Sequence, residues 1–383
     1  MKCRIFIGIS LIFSSLYFSD TNAQTWRDSL INYGVVKMMP AKKYNWNWRE
    51  SVFLKSMIDT YEHSSSEKQP AYLDYIKEAM EITFEKANAK HPNAVASAIG
   101  IAFLARITKD KRYTEKALSL YKEYLAILRA PNGGVSHRLE NLELWDDTVY
   151  MISLYLLEMY KLTIDEVYIR EFVTQLKAHE DKLASRKTGL WVHGWNGGNR
   201  NYDDQCCMLN WANTTNRTSC EYWGRGNGWI AMALADGLKT IPRNSENWKI
   251  LRKSYLKLIK YLPSLQDSTG LWYQLPIYKN ETGNFLESSS SAMFGYALTV
   301  GVELKILSKR IDPSIHNAYI GLKKCTELVG EAFLMPIQVC AGTCIGDKTY
   351  YYDRAVTKGN DFAVGAYILF ITQYHKTYGI SLN

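Results

Sequence analysis

Two adjacent carboxylates, Asp146 and Asp147, stand in the run Glu143-Leu144-Trp145-Asp146-Asp147-Thr148-Val149-Tyr150-Met151, between an indole and a phenol. A carboxyl group enclosed by aromatic rings is a candidate proton donor to a glycosidic bond, because burial disfavours its charged form. The spacing predicts a helix starting at about this point. Successive helical residues are about 100° apart, so both side chains cannot point down one funnel, and the pattern does not choose between them. The plain alternative is that one caps the helix and the other is solvated. A helix N-terminus also stabilises the carboxylate form, which opposes use as an acid.

Two further segments carry chemistry. In Gly189-Leu190-Trp191-Val192-His193-Gly194-Trp195, His193 sits between indoles, which suits ring stacking with one polar handle. In Trp223-Gly224-Arg225-Gly226-Asn227-Gly228-Trp229, a guanidinium lies among glycines and between two indoles. That composition fits an arginine holding a carboxylate while Trp223 and Trp229 stack on sugar rings, or else a helix start whose tryptophans are core. Upstream, Gly133-Gly134-Val135-Ser136-His137 reads as a tight turn delivering His137 to the same end of the fold.

The elements that must position these groups are helical. Apolar residues three and four apart predict helices near 48–62, 69–87, 92–107, 112–128, 145–160, 166–182, 226–240, 246–262, 288–307, 313–331 and 360–376, with one more hidden in irregular sequence. Thr108-x-Asp110-x-x-Tyr113 recurs as Thr163-x-Asp165-x-x-Tyr168, about 55 residues on, which is the length of one helical hairpin. Longer loops at 129–144, 187–225, 268–287 and 338–359 follow alternate helices and would emerge at one end of a closed toroid.

Composition narrows the function. The 27 Tyr and 11 Trp exceed what a helical core requires and suit carbohydrate rings. A net charge of +8 at pH 7, with the charges interspersed, carries no nucleic-acid signature and is compatible with a small anionic substrate. Lys2 and Arg4 before the apolar run 5–18, with Asn22-Ala23 ahead of Gln24, predict a signal peptide over 1–23, a single domain over 24–383, and export to a periplasmic or extracellular compartment without a membrane anchor. Local disulfides, Cys206 or Cys207 with Cys220 and Cys340 with Cys344, are the pairings that spacing suggests. The cysteines do not match a zinc pattern, so no metal or cofactor is expected.

These motifs occur in a recognisable order. Leu144–Met151, Gly189–Trp195, Trp223–Trp229, Phe285-Leu286-Glu287-Ser288-Ser289-Ser290-Ser291-Ala292-Met293-Phe294 and Val339-Cys340-Ala341-Gly342-Thr343 together resemble the unsaturated rhamnogalacturonyl hydrolases of glycoside hydrolase family 105, from about Trp46 to the C-terminus. The resemblance implies an all-α (α/α)6 barrel and removal of a Δ4,5-unsaturated uronic acid from the non-reducing end of lyase-generated oligosaccharides; a monomer is the expected state. It implies Asp147 as acid/base and His193 as the active-site histidine. It also implies substrate contacts from Trp48, His137, Trp145, Met151, Trp223, Arg225 and Trp229. One departure is that many members carry an acid at the start of the third helix, where this chain has Pro92-Asn93-Ala94. A glycosidase acting on saturated sugars, pairing Asp147 with Glu287 or Asp146, and a non-catalytic oligosaccharide-binding protein are the alternatives.

Overall fold

A computed structural model describes residues 25–198 and 206–380. The signal-peptide expectation therefore lies outside the described residues, and so does the 199–205 segment of the long loop. The helices are α1 (Trp26–Asn32), α2 (Trp48–His63), α3 (Gln69–Thr83), α4 (Pro92–Thr108), α5 (Lys111–Leu125), α6 (Asp146–Thr163), α7 (Val167–Leu183), α8 (Gly224–Thr240), α9 (Glu246–Ile259), the single turn α10 (Leu262–Leu265), α11 (Ser288–Glu303), α12 (Asp312–Lys324), the short α13 (Lys348–Tyr352) and α14 (Asp361–Tyr378).

Burial separates them into two layers. In α4, α8, α11 and α14 almost every residue is enclosed, as expected of helices that are apolar all round. In α5 only Tyr113, Ala117, Leu120 and Tyr124 are buried, one stripe at helical spacing. The enclosed helices pack in the closed order α2, α4, α6, α8, α11, α14 and back to α2, while α3, α5, α7, α9, α12 and α1 lie outside them. This is an (α/α)6 barrel. The hidden twelfth helix is α1, which runs on as a π-helical turn, Tyr33–Met38, and packs on α14.

The repeat has a physical basis in the turns. Lys109 and Ile164 both adopt left-handed backbone (φ 59°), ending α4 and α6. In the first copy the Arg112 N–H donates to Asp110 Oδ1 (2.8 Å), and in the second the Val167 N–H donates to Asp165 Oδ1 (2.9 Å). Each aspartate satisfies one of the free N–H groups that start the outer helix.

The far end of the barrel, where the inner helices finish, is closed by charge. His63, Arg106, Lys161, Lys239 and Lys376 fall in the last turns of five inner helices, where they offset the negative ends of the helix dipoles. Between them lies a cavity of about 350 Å³ lined by Lys55, Asp59, Glu158 and Asp236 among others, with Lys55 Nζ 2.6 Å from Asp59.

Two expectations need correction. The helix expected over 313–331 ends at Lys324, because the strand Thr326–Val329 turns at Gly330 (φ 63°) and pairs with Phe333–Pro336. The disulfide joins Cys206 to Cys344 across 138 residues, with Cα atoms 5.6 Å apart, so neither local pairing forms; Cys220 is exposed and Cys340 is buried as a thiol.

One stability prediction arises in the scaffold. Burial pulls the pKa of His179 in α7 down from 6.5 to about 4. Because the folded value lies below the unfolded one, His179 contributes nothing above pH 6.5. Below it the unfolded chain takes the proton first, and stability falls by about 1.4 kcal/mol per pH unit for this group. Urea unfolding at pH 7 and pH 5 should show a smaller pH-dependent loss for His179→Gln than for the wild type. An equal loss would contradict this cause.

Candidate active site

The long loops converge on the N-terminal ends of the inner helices and are stitched there by strands too short to show a period-two pattern. Glu143–Trp145 (β1) pairs antiparallel with Gly194–Asn196 (β2), placing Trp145 opposite Gly194. Asp146 and Asp147 follow β1 and His193 precedes β2, so this register is what brings them together. The Asp146 N–H donates to the His193 carbonyl (3.0 Å). Asn227 on α8 braces the same segment by accepting from the Trp191 N–H (2.8 Å) and donating to the Trp191 carbonyl (2.9 Å).

At the centre His193 Nε2 is 3.0 Å from Asp147 Oδ2 and 3.9 Å from Asp146 Oδ1. The Asp147 side chain keeps 15% exposure and the Asp146 side chain none, so the inner barrel turns one aspartate to the funnel and encloses the other. Asp146 is thus neither a solvated residue nor a cap. On the opposite side of the imidazole, Nδ1 is 2.9 Å from the buried Tyr351 hydroxyl. A carboxylate only accepts, so the N–H faces Asp147 from Nε2; in the neutral ring Nδ1 then accepts from the phenol. Burial pushes the Tyr351 pKa up, keeping it a phenol.

The two carboxyls titrate apart. Burial, then the charge of Asp147, pushes Asp146 well above the usual carboxylate range. Burial also acts upward on Asp147, but the His193 hydrogen bond and the electrostatic pull of the facing His193 and His137 imidazoles outweigh it and hold Asp147 below that range.

Aromatic rings encircle this centre. His137 stacks on Trp145 (centroids 4.4 Å apart) and bonds Thr148 Oγ1 through Nδ1 (2.9 Å). Trp145 meets His193 edge-on at 5.3 Å, and His193 stacks on Trp223 at 4.4 Å. Trp223 carries the Arg225 guanidinium at 4.5 Å, which also faces Phe362 at 4.8 Å. Phe362 leads to Trp48 (5.4 Å), Trp48 to Trp229 (6.1 Å), and Trp229 to Tyr150 (5.0 Å).

Arg225 does not have the free guanidinium expected for a carboxylate ligand. Its side chain is fully buried, with Nη1 donating to the Cys340 carbonyl (2.9 Å) and Nη2 to the Ala341 carbonyl (2.8 Å) and Thr343 Oγ1 (3.3 Å). The glycines around it allow this close packing. Glu287, 3.9 Å from Arg225, is equally committed: it caps α11 through the Ser289 and Ser290 N–H groups and accepts from the Cys340 N–H (3.0 Å). Met151 lies in the core, one turn below Asp147, rather than on the funnel surface. Trp145, Trp223 and Trp229 are also buried, and Trp48 is half-buried.

Residues that the sequence did not single out complete the ring. Tyr351 comes from α13, and His91 caps α4, accepting from the Asn93 N–H (3.1 Å) and standing 5.3 Å from His137. The start of the third barrel helix thus presents an imidazole. Clusters with metal-ligand atom types occur at Asp146, Asp147 and His193, and at Cys206, Cys207 and Cys344. In the first, imidazole and carboxylate are bonded to each other, and in the second two sulfurs form the disulfide.

Gly226 is required by this packing. A Cβ there would stand 2.1 Å from Asp146 Oδ2. Gly226→Ala should lower stability by about 1–3 kcal/mol through overpacking, which exceeds the helix-propensity gain of about 1 kcal/mol. A melting temperature at or above the wild-type value would contradict it.

The profile of Glycosyl Hydrolase Family 88 matches residues 20–378. The chain belongs to glycosyl hydrolase family 88. Among curated relatives, the family 88 chain is 26% identical over 291 residues to the unsaturated rhamnogalacturonyl hydrolase YesR of Bacillus subtilis, covering 73% of this chain and 77% of that one. It is 28% identical over 105 residues to an unsaturated 3S-rhamnoglycuronyl hydrolase of Formosa agariphila, covering 27% and 28% of the two chains. Its fold matches a family 105 glycoside hydrolase of C. acetobutylicum with a TM-score of 0.81 at 22% identity, covering 92% of this chain and 100% of the other. The family 88 chain is a glycoside hydrolase with an (α/α)6 barrel.

Proposed function

We propose that this enzyme removes a Δ4,5-unsaturated uronic acid from the non-reducing end of lyase-generated oligosaccharides of pectin or rhamnogalacturonan type. The observation that carries the reading is one funnel-facing carboxyl among the described residues, Asp147, hydrogen-bonded to His193 where the N-termini of the inner helices converge. Hydrolysis of a saturated glycoside commonly needs two carboxyls flanking the anomeric carbon. Here Asp146 is enclosed and Glu287 is spent on capping α11, which disfavours that alternative. The activities named for the relatives in Bacillus subtilis and Formosa agariphila support the same substrate class.

In this reading Asp147 protonates C4 of the vinyl ether and the cation develops at C5. Water adds at C5, returning a proton to Asp147. The hemiketal opens and the aglycone leaves. His193 orients Asp147, and Tyr351 sets the imidazole that does so. His137 and Trp145 form one wall and Trp48 the opposite rim. The positive ends of the inner helices favour the uronate anion, a role the sequence had suggested for Arg225.

Export and a monomeric state belong to the same proposal. The Cys206–Cys344 disulfide supports an oxidising compartment, and no helix among the described residues is long and apolar enough to cross a membrane. Incubation with a panel of unsaturated uronyl disaccharides should bleach the absorbance of the conjugated double bond. Binding without bleaching on every member would refute the activity and favour a sugar-binding protein.

A further inference from the structure

Among the described residues, Asp146 is the acidic group at the centre that the steps above leave unused. It sits at the first position of α6 with no side-chain exposure, and neither carboxyl oxygen has a hydrogen-bond donor in good geometry. Gly226 presses against Oδ2 so closely that no side chain fits between them. The oxygens of Asp146 and Asp147 and the His193 nitrogen lie within 4.8 Å of one another.

The groups facing Asp146 divide clearly. From its own helix comes the Asp147 carboxyl, and from the segment before β2 comes His193, whose hydrogen bond goes to Asp147. From α8 comes Arg225, whose Nη donors are taken by carbonyls and Thr343, whose Nε has no hydrogen-bond partner, and whose charge lies 3.9 Å from Glu287 while also drawing weakly on Asp146. From α13 comes the Tyr351 phenol, whose hydroxyl is engaged with His193. What favours an anion on Asp146, the Asp147 backbone N–H and the Arg225 charge, is outweighed by burial and by the charge of Asp147, whereas Asp147 has the His193 donor. Two ionised carboxylates in this space would repel and leave Asp146 a buried charge without a partner. One proton resolves both problems, and it belongs on Asp146, whose O–H then has Asp147 as its acceptor.

From this geometry we infer that Asp146 is the resident proton reservoir of the site, acting on the substrate only through Asp147. The inference rests on the hydration chemistry proposed above, where Asp147 must deliver a proton although its own resting state is the carboxylate. The Asp146 O–H bond breaks as an O–H bond forms on Asp147, and Asp147 passes its proton to C4. The water that adds at C5 gives one proton to Asp147, and that proton returns to Asp146. The pair ends each turnover with the single proton it began with. Asp146 is a positioning residue for that proton and does not touch the sugar.

The test uses the full-length enzyme and Asp146→Asn, which keeps the shape but carries no transferable acidic proton. Infrared spectra of the substrate-free wild type at neutral pH should contain the C=O band of a protonated carboxylic acid that is missing in Asp146→Asn. On an unsaturated uronyl disaccharide the variant should lose at least about tenfold in kcat with KM little changed. Its alkaline limb should move to lower pH by about one unit or more, since Asp147 alone must then hold the proton against His193. A wild type without the carboxylic acid band, or a variant with wild-type kcat and an unmoved limb, would overturn the inference. Should the wild type prove inactive on every unsaturated uronide, the functional reading falls, while the infrared comparison still decides where the proton resides. A variant too unstable to assay leaves the decision to the wild-type band and its pH titration.

Discussion

Asp147→Asn is expected to lower kcat by about 10²- to 10⁴-fold, the usual contribution of a positioned general acid, with little change in KM or melting temperature. The amide keeps the volume and can still accept from His193, so the 3.0 Å contact and the β1–β2 register that creates it should survive. What is lost is the ability to take a proton from one side and give it to the other. A variant within a few-fold of the wild type would remove Asp147 from the chemistry. A large rise in KM at constant kcat would assign it to binding instead.

The second large effect is on Arg225, and it is an effect on stability. Arg225→Met should cost about 3–5 kcal/mol, the range for removing one partner of a buried ion pair. The substitution leaves the Cys340 and Ala341 carbonyls without donors and Glu287 without its facing cation. Arg225→Lys should recover little, because an ammonium cannot lie flat between the Trp223 and Phe362 rings while reaching both carbonyls. The loop 339–343 and the cap of α11 should loosen together, since Glu287 bridges them. A mutant that melts like the wild type but has a raised KM would restore Arg225 as a substrate ligand.

Arg225 also shows where sequence reading ends. An arginine flanked by glycines and indoles has the same composition whether it faces a ligand or fills a core. The deciding partners, Glu287 and the Cys340 and Ala341 carbonyls, are more than sixty residues away. Tyr351 is 158 residues from His193 and stands among three consecutive tyrosines, so nothing local marks it. The same distance problem explains the disulfide, since Cys206 meets Cys344 only after the barrel has closed. By contrast, the helical layers were legible because three- and four-residue spacing is a local property, and the hairpin repeat was legible because Asp110 and Asp165 cap within two residues of themselves.

The aspartate pair falls between these cases. Helix phase left Asp146 and Asp147 equivalent, and the family motif favoured Asp147. The structure adds that the two carboxyls differ in environment: one faces the funnel with a donor, and the other is enclosed without one. Pairs whose surroundings push their proton affinities apart are a signature of acid/base sites.

The measurement that bears most directly on the account is turnover of an unsaturated uronyl disaccharide in D₂O, with the products followed by NMR. Hydration through Asp147 predicts one solvent deuteron at C4 of the released sugar, loss of the C4–C5 double bond in step with aglycone release, and neither event in Asp147→Asn. Release of the aglycone with the double bond intact and C4 unlabelled would show cleavage at the anomeric carbon, and would contradict the account.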